Sequence, residues 1–265
     1  GPGTYQSLGD PGRNTGSTAV DANRDGSVIV GNLSGTRGGS VRPFRWTAAG
    51  GLQSLGFAGG DDTEAFAISD DGNKIIGSVS AAGRGFVWTV DRGYEFVSGL
   101  HGGDGISFLY GMNRAGTIYV GNANIEATGA MWINGTVINL GKLAGTGAFF
   151  ANAVDDFGTV VAGHSIASGP LIATVWTQAR GIEPLSDYLA SQGVTIPMGV
   201  MLRSCEAVSA DGLTFAGGAS IDGVPNSTFG YVVTIPCPGS AVFAVLSLLV
   251  SGRRQRRRMT GGWHD

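Results

Sequence analysis

The sequence predicts an all-β fold: a five-bladed, β-propeller-like repeat closed by the N-terminal strand, followed by a short C-terminal apolar helix. Three observations carry this. A Gly-x-x-x-x-Gly unit with apolar residues inside it recurs five times. An aromatic strand follows each unit. The composition is rich in glycine and poor in charge, with 47 glycines and 14% charged residues among 265. Short strands joined by glycine turns suit that composition, and long helices do not.

The glycine pairs are Gly26/Gly31, Gly72/Gly77, Gly116/Gly121, Gly158/Gly163 and Gly212/Gly217, and the first glycines are spaced by 46, 44, 42 and 54 residues. A polar corner precedes each, such as Asn23-Arg24-Asp25 and Ser69-Asp70-Asp71, and supplies the chemistry of a tight turn. The residues between the glycines read as one strand, for example Val28-Ile29-Val30 and Ile118-Tyr119-Val120. The next strand carries Phe44 and Trp46, then Phe86 and Trp88, two apart and so on one face. Trp132 and Trp176 hold the same place in units three and four, and Tyr231 in unit five. A short strand opened by glycine ends each of the first four units, at Gly51, Gly93, Gly135 and Gly181. About four strands in about 45 residues is the size of a propeller blade.

Closure is expected from the two ends of this pattern. Thr4 to Gly9 reads like a last strand, since Gln6-Ser7-Leu8-Gly9 repeats Gln53-Ser54-Leu55-Gly56. The fifth unit stops after its third strand, Gly230 to Ile235. Pairing the two would hide both sheet edges. The one long insertion, Leu185 to Cys205, opens with a short helix that ends near Gly193. It is expected to pack on one face of the ring. The chain starts at Gly1 without Met, which fits a removed export signal or a fragment of a longer chain; Gly1-Pro2-Gly3 also fits a cloning scar and is set aside in the fold reading.

These repeats resemble the extracellular HAF repeat family. The match is clearest in Ala67-Ile68-Ser69-Asp70-Asp71-Gly72 running on to Ile75-Ile76-Gly77, and in Ala207-Val208-Ser209-Ala210-Asp211-Gly212. The His-Ala of that family is replaced by Arg42-Pro43-Phe44 and Arg84-Gly85-Phe86. Ala130 and Thr174 stand where units three and four would have Phe. The resemblance covers about residues 5–235 and implies repeat architecture and export, with no established activity.

The tail reads separately. Pro236-Cys237-Pro238-Gly239 precedes an apolar stretch from Ala241 to Val250, and then Arg253, Arg254, Arg256, Arg257 and Arg258. Ten apolar residues as helix reach ~15 Å, against a hydrocarbon core of ~30 Å. A short apolar segment backed by positive charge holds a chain end at a membrane during export. The arrangement is similar to the PEP-CTERM sorting tail, in which those residues form the sorting signal read by a protease. Cys237 stands where that motif usually has Glu. The expected organisation is a repeat domain over 4–235, a sorting or membrane-anchor segment over 236–258 and a polar extension over 259–265.

Charge excludes one class. Without the arginine run and Asp265 the chain keeps 12 basic against 19 acidic residues. An acidic body does not suit nucleic acid. No catalytic, cofactor-binding or metal-ligating residue is assigned. Asp21-x-Asn23-x-Asp25-Gly26 matches the start of a calcium loop, but Asn32 occupies the position of the closing Glu. Asp61-Asp62 and Asp155-Asp156 read as solvated turns, and the Trp series as core. His101, His164 and His264 are too scattered for a metal cluster. Cys205 and Cys237 make no disulfide framework. The expected function is that of an exported, surface-associated, non-enzymatic binding or structural scaffold. Its partners would be the membrane, a sorting protease, and an extracellular polysaccharide or surface protein. An enzyme acting on extracellular polysaccharide is the alternative, and it would show acids or histidines that occur in one unit only and converge.

Overall fold

Each Gly-x-x-x-x-Gly unit forms the turn and second strand of an antiparallel sheet. The computed structural model describes residues 7–9, 15–35, 39–59, 62–100, 105–124, 126–167, 169–224, 227–236 and 246–249. The first sheet is β1 (Thr15–Ala22), β2 (Val28–Gly35), β3 (Gly39–Thr47) and β4 (Gly51–Ser54). The second is β5 (Thr63–Ile68), β6 (Lys74–Val79), β7 (Arg84–Thr89) and β8 (Gly93–Phe96). The third is β9 (Ser107–Met112), β10 (Ile118–Ala123), β11 (Thr128–Ile133) and β12 (Thr136–Gly141). The fourth is β13 (Ala148–Val154), β14 (Val160–Ile166), β15 (Ile172–Thr177) and β16 (Gly181–Pro184). In each, neighbours in sequence are neighbours in the sheet.

After α1 (Leu185–Ser191), the fifth sheet splits its first strand. Both β17 (Val200–Leu202) and β18 (Ala207–Val208) pair with β19 (Thr214–Ile221), which is followed by β20 (Phe229–Thr234) and β21 (Leu246–Leu249).

One turn is built five times. Asn23, Ser69, Asn113, Asp155 and Ser209 each stand three residues before the first glycine of a unit. Their side-chain oxygens accept the N–H of the residue that opens the second strand: Val28 at 2.8 Å, Lys74 at 3.0 Å, Ile118 at 3.0 Å, Val160 at 3.1 Å and Thr214 at 2.8 Å. The glycine that follows has φ between +63° and +73° in every unit, a left-handed conformation that costs glycine nothing. The sequence at 21–26 therefore makes a hydrogen-bonded turn. Asp21 points away from it, and its Oδ2 accepts the Ile68 N–H of the next sheet at 2.9 Å.

The second glycine has a different cause. It pairs beside a β-bulge in the first strand, and a Cβ there would fall far inside contact distance of a backbone carbonyl oxygen. The blocking residue is Thr18 for Gly31, Glu64 for Gly77, Phe108 for Gly121, Phe150 for Gly163 and Ser204 for Gly217.

Cores form between successive sheets. Val30 and Ala65 meet Leu55 and Trp88; Ile76 and Leu109 meet Trp132; Met131 and Phe149 meet Leu140; Ala162 and Val175 meet Leu185, Phe215 and Tyr231. Trp46 and Trp132, 8% and 2% exposed, are core as expected, while Trp88 and Trp176 are half-buried at its margin. The insertion helix packs as expected, with Leu185 and Leu189 buried and Tyr188 edge-on to Phe215 at 6.0 Å. Sheet-to-sheet packing runs from the first to the fifth. Packing of that extent does not join the fifth to the first among the described residues, and Ser17 to Val20 of β1 are exposed.

Two expectations at the chain ends differ. Residues 4–9 were to pair with the 230–235 strand. Residues 7–9 lie outside any strand, residues 4–6 lie outside the described residues, and β21 occupies the outer edge of β20. The apolar stretch 241–250 was to be helical, yet its described part, Leu246–Leu249, is strand. The physical reason is the same for both. A bare β20 edge presents unpaired N–H and C=O groups, and an apolar segment within reach satisfies them. Among the described residues, no helix is long and apolar enough to cross a membrane.

Candidate binding site at the bulge positions

The bulges single out one residue per unit. Pairing of the first strand slips past Val20, Phe66, Tyr110 and Asn152 in the first four sheets. Glu206, between β17 and β18, holds the same place in the fifth, six residues before the first glycine. A bulge re-aims a side chain out of the ladder. The backbone device is thus repeated while the residue it presents changes from unit to unit.

Three units join into an aromatic row. The Phe66 and Tyr110 rings meet edge-on at 5.7 Å, Tyr110 and Phe150 lie 6.1 Å apart, and Phe150 stacks on His164 at 5.1 Å with 11° between planes. Phe108 lies parallel to Tyr110 at 6.5 Å. All five of these rings are half-buried, so each keeps surface open to solvent.

A polar cluster closes the row at the junction of sheets four and five. The Asn152 Nδ2 lies 3.2 Å from His164 Nδ1, 3.0 Å from Glu206 Oε2 and 3.1 Å from the Cys205 carbonyl oxygen. Its two N–H groups thus serve three acceptors. Burial lowers the His164 pKa against the opposing pull of Glu206, so the ring is neutral at neutral pH and Nδ1 can accept. Cys205 beneath is buried, and burial pushes its thiol up to about 11, so it stays protonated and unreactive. Burial likewise raises the Tyr110 phenol, which stays protonated and a hydrogen-bond donor.

Other residues of interest fall elsewhere. Asp155 is buried at 1% exposure rather than solvated, because its carboxylate takes the Thr159 and Val160 N–H groups of the turn. Asp156 pairs with Arg114 at 2.6 Å. These carboxylates are committed to separate partners and do not form an acid pair. Asp62 accepts the Val41 N–H at 3.0 Å. Of the sorting-signal residues, Pro236 is half-buried just after β20. Cys237, Pro238, Gly239, Arg253, Arg254, Arg256, Arg257 and Arg258 lie outside the described residues, as do Asp61, His101 and His264.

Sequence reasoning treated His164 as isolated and passed over Asn152 and Glu206. The signal that would have found them is the non-repeating residue at a repeating position, six before the first glycine. Asn152 and Glu206 are such residues, and each occurs once at that position.

No family model matches the sequence, and no curated protein matches it. Solved structures do match in shape. The Agrobacterium tumefaciens protein assigned to TolB superposes with TM-score 0.54 at 13% identity, over 88% of this chain and 82% of that one. TolB from Acinetobacter baumannii gives 0.52 at 12%, over 83% of this chain, which spans 52% of that protein. The β-propeller domain of the Trilobed protease from Pyrococcus furiosus, which has an open velcro topology, gives 0.52 at 10%, over 89% and 72%. The chain has a β-propeller-like repeat fold. At these identities the likeness speaks to fold alone.

Proposed function

We propose that the chain is an exported, surface-associated binding protein whose ligand lies on the aromatic row that runs from Phe66 to His164. The observation that carries this is the division of labour within each unit. Repeated glycines, turn residues and large aromatics build the scaffold, and the bulge position presents a different side chain each time. Half-buried aromatic faces next to Asn152, His164 and Glu206 suit a sugar: rings stack on apolar sugar faces, while amide, imidazole and carboxylate bond its hydroxyls. An extracellular polysaccharide is therefore the ligand class.

The body is read as a five-bladed propeller-like repeat, supported by five successive four-strand units and by Leu8 packing on Phe44 and Trp46 of the first sheet. Export and surface retention rest on the resemblance to HAF repeats and on the PEP-CTERM-like tail. The tail holds the chain at the membrane through Arg253 to Arg258 until a protease cuts near Pro236–Gly239. Mass spectrometry of the protein from its native host tests this. A C-terminal peptide ending at Asp265 on most molecules rejects processing.

Binding is tested by calorimetry of the full chain against exopolysaccharide and cell-wall fractions. Tyr110→Ala and Phe150→Ala should each weaken binding by roughly five- to thirty-fold, as expected for loss of a stacking contact of about 1–2 kcal/mol. Equal affinity in both variants rejects this site. The convergence of His164 and Glu206, each unmatched in the other units, also favours a second reading, cleavage of the same polysaccharide. Shortening of the bound chain that disappears in Glu206→Gln would establish it.

A further inference from the structure

Two aromatic rings outside the bulge row are capped by the protein's own cations. The Arg84 guanidinium lies 4.1 Å from the centre of the Phe96 ring, and that of Arg42 lies 5.9 Å from the centre of Phe57. A ring face is rich in electrons and draws positive charge. Phe66, Tyr110 and Phe150 are half-buried, and among the described residues no lysine or arginine lies over them.

The strands that carry the row supply acid and no base. β5, β9 and β13 contain one charged residue between them, Glu64. Glu64 pairs with Ser78 in the register at which Phe108 pairs with Asn122 and Phe150 with His164. It therefore holds, in the second sheet, the place that those rings hold in the third and fourth. At the other end of the row, Glu206 holds the bulge place of the fifth unit. A carboxylate thus brackets the rings on each side.

The protein's own cations are committed elsewhere. Lys74 Nζ donates to the Gly116 carbonyl oxygen at 2.7 Å, and Arg114, Lys142 and Arg180 pair with Asp156, Glu126 and Glu183. Arg203, three residues before Glu206, donates through Nε to Ser220 Oγ at 2.7 Å. Neither Glu64 nor Glu206 forms an ion pair among the described residues. Open ring faces between uncompensated carboxylates attract an ammonium group, gain nothing from a neutral substituent and repel a uronate.

We infer that the polysaccharide taken by this row is a cationic one, a polymer of sugars with free amino groups, whose ammonium groups sit over the open rings and against Glu64 and Glu206. This rests on the reading of the row as a sugar site and adds the charge that the site selects. The acidic body, with 12 basic against 19 acidic residues outside the arginine run and Asp265, draws such a polymer from a distance.

The test is calorimetric titration of the full chain at about pH 6, where amines carry their proton. The probes are a glucosamine oligomer, its fully N-acetylated form and a glucuronate oligomer of the same length. The free-amine oligomer should bind about ten-fold tighter than the acetylated one, and the uronate more weakly than either. The preference should shrink as salt is raised, because exposed charges are screened. Glu64→Gln and Glu206→Gln should each cut the preference by about two- to five-fold, the range of an exposed ion pair. Glutamine keeps the size of both side chains and, at 206, an oxygen that accepts the Asn152 amide. Glu126→Gln removes an exposed acid paired with Lys142, and should leave the preference as it is.

The inference is overturned if the acetylated or uronate oligomer binds as tightly as the amine form. It is also overturned if the preference survives high salt or the double glutamine variant, or if Glu126→Gln erodes it as much as Glu64→Gln does. The salt series needs no variant, so a misfolded substitution leaves the proposal open to refutation. Tight binding of the acetylated oligomer that Tyr110→Ala weakens keeps the row as a sugar site and removes only its charge preference. If no oligomer binds, or if Tyr110→Ala changes no affinity, the site itself falls and the preference with it.

Discussion

Asn32 and Ala65 exchange two hydrogen bonds across the boundary between the first and second sheets. Asn32 Nδ2 donates to the Ala65 carbonyl oxygen at 3.0 Å, and Asn32 Oδ1 accepts the Ala65 N–H at 2.8 Å. The side-chain amide thereby acts as one more peptide unit for β5, the first strand of the next sheet. Ser78 does the corresponding work one boundary on, accepting the Leu109 N–H at 3.1 Å. Between sheets four and five, the Cys205 N–H bonds the Gly163 carbonyl oxygen directly at 3.1 Å, and Asn152 takes the Cys205 carbonyl oxygen.

Replacing Asn32 with Leu keeps its size and removes both bonds, leaving the Ala65 N–H and C=O without them. The expected loss is about 1–3 kcal/mol, the penalty for stranding buried polar groups. Chemical denaturation of Asn32→Leu against the parent measures it. Asn32→Asp should recover part of the loss, since its carboxylate still accepts the Ala65 N–H.

The second glycine of each unit should not tolerate a side chain, whereas a glycine with open space beside it should. Gly77→Ala sets a methyl against the Glu64 carbonyl oxygen and the Phe86 ring, both held in place by the sheet. The loss should reach or exceed the upper end of the ~1–3 kcal/mol seen for overpacking. Gly147→Ala is the control, since a Cβ there meets only the Ile166 oxygen at 3.7 Å and no positive φ is required. Thermal melts of the two variants should separate clearly.

Trp132→Ala should cost about 3–5 kcal/mol. Its ring is buried, and its indole N–H bonds the Ser98 carbonyl oxygen at 2.8 Å, which truncation leaves open. Trp88→Ala should cost less, because that ring is only half-buried. Equal losses in denaturant unfolding would contradict this ranking.

What the sequence made legible were features that recur. The second, third and fourth strands of units one to four and the short helix at Leu185 follow from spacing and turn chemistry alone. The bulge escaped it, because a bulge is set by pairing across strands. Gly31 looks like a turn glycine until Thr18 is placed against it. The cluster at Asn152 escaped for the same reason: Asn152 and Glu206 are 54 residues apart and meet only once sheets four and five are packed. The apolar run 241–250 reads as helix in the sequence, since it carries no sign of the strand edge that its described part, Leu246–Leu249, joins.

The last prediction concerns acid. His164 is half-buried against Phe150, Asn152 and Glu206, and burial lowers its pKa in the folded state. The unfolded chain, with an ordinary value of about 6.5, binds the proton more readily. Stability rises with pH wherever the unfolded state binds more protons. The contribution of this residue is therefore fully present above about 6.5, falls as pH drops towards the lowered folded value, and is constant below it. Protonation would also turn Nδ1 into a donor facing the Asn152 amide. His164→Gln should flatten the decline across this window. Glu206→Gln should deepen it, because the charge that raises the His164 pKa is gone. Denaturant midpoints measured from about pH 7.5 down to about pH 5 would decide. A His164→Gln variant that loses as much stability as the parent over that range would place the acid sensitivity in other groups.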